Sequence, residues 1–192
     1  LKKLRTDYID LMLIHQPFGD YYGAYRAMEE AYRDGKLRAI GVSNFMPDRF
    51  IDIAGFMDIP PMVNQLETHV FQQQRIARPV LSEFKTQLMA WSPLAQGNNG
   101  IFQNNVLTKI GEKHGKTAAQ VALRFLIQSG IAAIPKAAHK NHIKENLDIF
   151  DFELTSKEMK SIQSLDLGRS QFIDHHASDV AKMFVSAGKA AS

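Results

Sequence analysis

The sequence predicts an α/β protein built on a parallel sheet, and three observations carry this prediction. Short apolar runs recur along the 192 residues, most of them at roughly the ~30-residue spacing of a βαβ unit. Amphipathic helical patterns fill the gaps between these runs. Each run ends in polar residues. Strands and helices that alternate in this way form either an open doubly wound sheet or a closed barrel.

Five strands are predicted from the apolar runs. The first, Ile9–His15, is broken only by Asp10, and Pro17 prevents its continuation. We expect it to be a buried parallel strand with His15 at its carboxyl end. The other predicted strands are Leu37–Ser43, Met62–Gln65, Gln87–Ser92 and Ile131–Lys136.

Helices are predicted in the gaps from apolar spacing and from capping signals. Gly35 is expected to stop the first helix, and Pro47 suits the first turn of the second. The tail from Gly168 to Ser192 is predicted to be a loop with a frayed terminus. The remaining helical expectations are Tyr21–Arg33, Gln73–Phe84, Val106–Lys113, Asn141–Phe150, and helices that begin with capping boxes at Thr117/Gln120 and Thr155/Glu158.

The polar strand ends favour a barrel over an open sheet. Neither G-x-G-x-x-G nor G-x-x-x-x-G-K-[ST] follows any predicted strand, which disfavours the open nucleotide-binding folds. In a barrel, the carboxyl ends of the strands share the face on which enzyme sites lie. The polar residues expected on that face are His15, Ser43-Asn44, Gln65-Leu66-Glu67, Trp91-Ser92 and Lys136.

Composition limits the function classes. A formal charge of +3 without a basic stripe predicts no nucleic-acid partner. The chain has no cysteine, which excludes disulfides and thiolate metal sites and suits the cytoplasmic location that we predict. No apolar run is long enough for a membrane span, so no membrane partner is expected. Glu67 with His69, and the pair His175-His176, offer too few ligands for zinc, so no metal is predicted.

The strand-end motifs resemble the aldo-keto reductase family in order and spacing over essentially the whole chain. The motifs are DLMLIHQP (10–17), RAIGVSNF (38–45), NQLETH (64–69), AWSPL (90–94) and IPK (134–136). The similarity is to bacterial members of the 2,5-diketogluconate reductase type. It implies a (β/α)8 TIM barrel that reduces aldehydes or ketones by hydride transfer from NADPH. It further implies that residues 1–192 are the C-terminal part of a single oxidoreductase barrel domain, covering strands four to eight.

The same resemblance assigns site residues. His15 is expected to orient and polarise the substrate carbonyl, whereas the family's catalytic Asp, Tyr and Lys lie on earlier strands and have no counterpart here. Because His142 stands where the family usually has an arginine, we expect a weakened NADPH preference and some use of NADH. The expected cofactor contacts are Ser43, Asn44, Gln65 and Trp91 at the nicotinamide, Ser92, Leu94 and Gln96 at the pyrophosphate, and Lys136, Ala137, His142, Glu145 and Asn146 at the adenosine end.

Structural interpretations of the same residues stay open at this point. Ser43 and Asn44 suit the cap of the helix near Pro47, Trp91 suits a core position, and His15 could be a solvated loop histidine. A non-catalytic dinucleotide-binding remnant, or another barrel enzyme with a phosphate site, are the alternative functions. Five strands cannot close an eight-stranded barrel and would leave apolar edges. We therefore expect residues 1–192 to fold only within a parent protein or against a partner, and to be inactive alone.

Overall fold

The computed structural model describes residues 1–191, which form two compact units. The first unit consists of Leu1–Leu66, Ile76–Leu88 and the segment from Phe172 onward. The second unit consists of Glu67–Arg75 and Met89–Gln171. Among the described residues, no helix has the length and apolar character to cross a membrane.

The strands and helices alternate along most of the chain, as the sequence predicts. The strands are β1 Met12–Ile14, β2 Ile40–Ser43, β3 Val63–Glu67, β4 Gln87–Trp91 and β5 Ala132–Ala133. The α-helices are α1 Tyr21–Arg33, α2 Pro47–Phe56, α3 Ala77–Glu83, α4 Asn105–His114, α5 Ala118–Gln128, α6 Lys140–Leu147, α7 Ser156–Gln163 and α8 Ser178–Ala191. Shorter 3-10 segments cover Lys2–Leu4 and Ala95–Gln103.

The sheet of the first unit is parallel. Strand β1 pairs with β2, and β2 pairs with β3 in a register that sets Ser43 opposite Gln65. The backbone N–H of Gln87, at the start of β4, donates to the Met62 carbonyl over 2.9 Å. Gly41 lies in the middle of β2, where an added Cβ would come within 2.4 Å of the Val63 carbonyl oxygen. This glycine therefore allows β2 and β3 their close approach.

The core of the first unit lies between the sheet and helices α1 and α2. Tyr25 on α1 and Phe50 and Ile53 on α2 are completely buried, as expected from their spacing along each helix. The Tyr25 hydroxyl donates to the Ile59 carbonyl over 3.1 Å, so its buried polar atom is satisfied. The helices thus hold the strands whose carboxyl ends carry the candidate site.

The second unit is built around α5, which packs against β5, and β5 pairs in parallel with β4. Val121, Phe125 and Leu126 are buried on this helix. Both predicted capping boxes are confirmed, with reciprocal bonds between Thr117 and Gln120 and between Thr155 and Glu158. These boxes satisfy backbone N–H groups that a helix start otherwise leaves without partners.

The strand predictions need corrections at the strand ends. Strand β2 begins at Ile40 rather than Leu37, and β3 covers Val63–Glu67 rather than Met62–Gln65. Strand β1 is shorter than predicted and is not fully buried, because it is an end strand of the sheet and Met12 is 43% exposed. Strand β5 has only two residues, and beyond it the Ile134 N–H still donates to the Ala90 carbonyl over 3.4 Å. The apolar edges expected at these two strands therefore remain exposed at Met12 and Ile134.

Three helix predictions also differ from the structure. Helix α3 begins at Ala77 rather than Gln73, because Gln74 has a left-handed φ of 54° that an α-helix does not include. Helix α6 ends at Leu147 rather than Phe150. The tail is not a loop throughout, since α8 forms within it and its Phe184 ring stacks on Phe18 at 5.3 Å. Small, helix-favouring residues and this apolar anchor outweigh the polar composition; Ser192 lies outside the described residues.

Candidate active site

Four predicted site residues of the first unit lie together in one hydrogen-bond network. The Asn44 side-chain amide donates to the His15 carbonyl oxygen over 3.1 Å and to the Ser43 hydroxyl oxygen over 3.2 Å. The Ser43 hydroxyl donates to the Gln65 carbonyl oxygen over 3.0 Å, and the Asn44 backbone N–H reaches the same oxygen at 2.9 Å. The network therefore joins the carboxyl ends of β1, β2 and β3.

The local sequence explains this geometry. Parallel register brings Ser43 beside Gln65, and Asn44 turns the chain with a left-handed φ of 62°. Asparagine adopts this conformation more readily than most residues. The alternative that Ser43 or Asn44 caps helix α2 is wrong, because the cap residue is Met46 and no side chain caps it. Both residues are buried, so tying the strand ends together is part of their role.

His15 follows β1 as an exposed residue, in keeping with its predicted place at the strand end. Beside it, the Oε1 atom of Gln16 is buried without a hydrogen-bond partner among the described residues. Three residues beyond His15, Phe18 is stacked on Phe184, whose ring also stacks on His175 at 6.0 Å. Helix α8 thus contacts the segment after His15, although a loop was predicted for this part of the tail.

Residues predicted at the pyrophosphate line a cavity of about 540 Å³ in the second unit. Ser92 and Gln96 stand at its wall and are joined by a 3.1 Å hydrogen bond from the Gln96 amide to the Ser92 hydroxyl oxygen. Part of the wall belongs to the segment Ala95–Gln103. The lining residues are Ser92, Pro93, Leu94, Gln96, Gly97, Phe102, Ile134, Pro135 and Lys136.

A second cavity of about 350 Å³ shares Leu94, Phe102 and Lys136 with the first. It is lined in addition by the start of α5 and by residues of α6. This cavity brings together most residues predicted at the adenosine end. The residues not shared with the first cavity are Thr117, Ala118, Ala119, His142, Glu145 and Asn146.

Two predicted contacts lie elsewhere in the second unit. Ala137 lines a separate, mainly apolar cavity of about 330 Å³, together with residues such as Leu123 and Ile143. Trp91 ends β4 half-buried, and its carbonyl oxygen accepts from the Thr68 N–H at 3.3 Å. Neither residue lines the two cavities that hold the other predicted contacts of this unit.

Glu67 and His69 form a buried pair rather than an open ligand set. The His69 Nε2 atom donates to the Glu67 carboxylate over 3.0 Å, and His69 Nδ1 accepts from the Phe71 N–H. The same carboxylate accepts from the Ser170 hydroxyl and, over 2.7 Å, from the Gln171 N–H. Burial by itself raises the pKa of Glu67, but these hydrogen bonds outweigh it and lower the pKa below its ordinary value.

The model of the aldo/keto reductase family matches residues 1–167 of this chain. The chain is 47% identical over 167 residues to glyoxal reductase of Bacillus subtilis (strain 168), covering 86% of this chain and 60% of that protein. It is 40% identical over 175 residues to methylglyoxal reductase DkgA of Escherichia coli (strain K12), covering 88% and 62%. The chain therefore spans about three fifths of the length of these curated relatives.

Solved structures agree with this match. MGS-M4, an aldo-keto reductase from a Medee basin deep-sea metagenome library, has a TM-score of 0.87 at 42% identity, covering 93% of this chain and 67% of that one. The Bombyx mori aldo-keto reductase in complex with NADP has a TM-score of 0.82 at 32% identity, covering 90% and 62%. Because the family model matches residues 1–167, which are most of this chain, the chain belongs to the aldo/keto reductase family.

Proposed function

We propose that this chain carries the carbonyl-orienting and cofactor-binding residues of an NADP-dependent oxidoreductase that reduces aldehydes or ketones to alcohols. The observation that carries the proposal is the network of His15, Ser43, Asn44 and Gln65 at adjacent strand ends. A parallel α/β sheet binds its ligands at this end. The likeness to glyoxal and methylglyoxal reductases further supports small carbonyl compounds as the substrate class.

The residues present fit a dinucleotide. Amide side chains at Asn44 and Gln65 suit a nicotinamide carboxamide, which has one acceptor and two donors. In the second unit, Lys136 borders both adjoining cavities and offers a positive charge for phosphate oxygens. His142 and Glu145 border the second cavity, where an adenosine would be held. NADPH, when bound, supplies the hydride; the replacement of the family's arginine by His142 supports some use of NADH as well.

His15 is the proposed carbonyl-orienting residue. Its backbone is fixed by the 3.1 Å bond from Asn44, while its ring stays exposed at the end of β1. A ring N–H that donates to the substrate carbonyl oxygen would polarise the C=O bond toward hydride addition at carbon. The alkoxide oxygen formed in this step then requires a proton, and the resemblance assigns its delivery to a tyrosine without a counterpart in this chain.

We propose that β1–β5 correspond to strands four to eight of the family's eight-stranded barrel. The order of the motifs supports this assignment, since the His15, Asn44, Gln65 and Lys136 segments follow one another as in the family. We also propose that both units belong to one oxidoreductase domain, because the family match over residues 1–167 includes parts of each. A cytoplasmic location stays a prediction.

Fluorescence of the single tryptophan, Trp91, gives a direct test of cofactor binding. NADPH should quench this fluorescence saturably, and a protein with the full catalytic set should then oxidise NADPH when methylglyoxal is added. A His15→Ala variant should still quench the fluorescence with NADPH, because its role is toward the carbonyl. Saturable quenching without NADPH oxidation, even in a protein with the full catalytic set, would instead indicate a non-catalytic binding protein. Absence of quenching would refute the cofactor assignment.

A further inference from the structure

Two exposed histidines lie side by side where helix α6 begins. His139 is the residue before the helix, and His142 lies in its first turn. Their ring centroids are 5.5 Å apart, and their planes are nearly perpendicular, at 88°. His142 lines the 350 Å³ cavity that is proposed to hold the adenosine end of the dinucleotide. His139 is not among the residues predicted for that end, although its ring is in contact with that of His142.

The spacing of the two rings suits a single phosphate group. An imidazole donates through a ring N–H, and N–H bonds to phosphate oxygens are about 2.7–2.9 Å long. Rings whose centroids are 5.5 Å apart can therefore both donate to oxygens of the same phosphate. NADPH carries such a group at the 2′ position of its adenosine ribose, where NADH has a hydroxyl. The pair can thus distinguish the two cofactors.

The charged groups around this pair are mainly cationic. Lys136 and Glu145 line the cavity, and Lys140 and Lys144 lie exposed on α6 itself. The residues that α5 and its cap contribute to the cavity carry no charge; they are Thr117, Ala118 and Ala119. Of the side-chain types present in this described part of the chain, imidazole is the one whose charge changes between pH 5 and 8.

A bound phosphate dianion would change the protonation of the two histidines. Two protonated rings at this distance repel each other, whereas an anion between them attracts both. Phosphate binding should therefore draw protons from the solvent onto the rings, which can then donate from both nitrogens. We propose that His139 and His142 together form a proton-linked site for the 2′-phosphate, so that acidic pH strengthens the preference for NADPH and alkaline pH weakens it. This inference rests on the proposed function, which supplies the dinucleotide.

Calorimetry in buffers of different ionisation enthalpy measures the protons taken up on binding. At pH 7, NADPH binding should take up about 0.3–0.5 proton, and NADH binding should take up almost none. The 2′-phosphate cannot cause this uptake, because its own second ionisation, at about pH 6, would release protons when the group binds beside cations.

Variants of the two histidines assign the uptake to the pair. His139→Gln and His142→Arg should each reduce it, and the double variant should abolish it while still binding NADPH through the permanently charged arginine. His176→Gln is the matched control, since His176 is an exposed histidine that does not line the cavity. It should keep the wild-type proton uptake. Unchanged uptake in the double variant would overturn the assignment to His139 and His142.

The ratio of the NADH to the NADPH dissociation constant, measured by Trp91 quenching, gives a second readout. Uptake of about 0.3–0.5 proton should raise the wild-type ratio about threefold to sixfold between pH 8 and 6.5, whereas the ratio of the double variant should not rise. NADPH binding without proton uptake, or with the same uptake as NADH, would overturn this inference and leave the proposed function intact. Absence of NADPH binding to the wild type would refute the proposed function and this inference with it.

Discussion

Gly41→Ala should destabilise the protein although it adds a single methyl group. The new Cβ would lie 2.4 Å from the Val63 carbonyl oxygen and 2.9 Å from Leu13 Cδ2. Leu13 can change its rotamer, but the Val63 oxygen belongs to the paired strand and can only move with its backbone. Overpacking of this kind costs about 1–3 kcal/mol, and the lower entropy of the unfolded alanine chain offsets about 0.4–1 kcal/mol. We expect a net loss of about 1–2 kcal/mol, because β2 must separate from β3.

Gly55→Ala is the matched control, since it is a helical glycine of α2 with nothing within 4 Å of the added Cβ. It should stabilise the protein by about 0.5–1 kcal/mol. Urea unfolding followed by far-UV circular dichroism measures both changes. The NADPH dissociation constant should also rise in Gly41→Ala, because Ser43 and Asn44 follow on the displaced strand. Equal stability of the two variants would refute the argument that β2 and β3 require a glycine at this position.

Three further changes test the site and its support. Asn44→Gly should lower the free energy of unfolding, because the bonds to His15 and Ser43 are lost. Asn44→Ala should lower it by about 1 kcal/mol more, because alanine is strained at the left-handed φ of this position. Equal stability of the two variants in urea would contradict this. Burial opposes ionisation of Glu158, but bonds from Thr155 and His114 lower its pKa from 4.5 to about 2. The stabilisation from ionised Glu158 is complete above pH 4.5 and is lost as the pH falls toward 2. The melting temperature of Glu158→Gln should therefore fall less than that of the wild type over this range. An equal fall in the two melting temperatures would argue against this role of Glu158. His142→Arg should tighten NADPH binding several-fold and leave NADH binding unchanged, as measured by Trp91 quenching, and equal tightening of both would refute a phosphate contact.

Much of the fold was predictable because the local signals agree with the tertiary structure. Helix α1 has the predicted bounds, and the capping boxes at Thr117 and Thr155 form as their spacing indicates. The ends of β1 and β5 were less predictable, because apolar composition does not show where strand pairing stops. Helix α8 was missed for a related reason, since its anchor is the stack of Phe184 on Phe18, residues far apart in the sequence.

The candidate site shows the same division. Ser43 and Gln65 were predictable as neighbours, because parallel register sets the ends of consecutive strands side by side. The burial of Ser43 was not predictable, because its hydroxyl donates to a backbone oxygen, that of Gln65, and such a contact leaves no signal in the sequence. The apolar cavity beside Ala137 was not predictable, because the strand pattern did not show where the chain turns after Ile134. The hydrogen bond between Asn99 and Gln171 joins two loops and leaves no periodic signal.

The position of α8 has a practical consequence for protein engineering. A truncation that removes the chain from Ser178 onward would remove Phe184 from its stack with Phe18. The Phe18 ring, three residues after His15, would then be exposed to solvent. The truncated protein would therefore have altered surroundings at His15, the residue proposed to orient the substrate carbonyl. Purification tags are better joined through a spacer after this helix than substituted for any part of it.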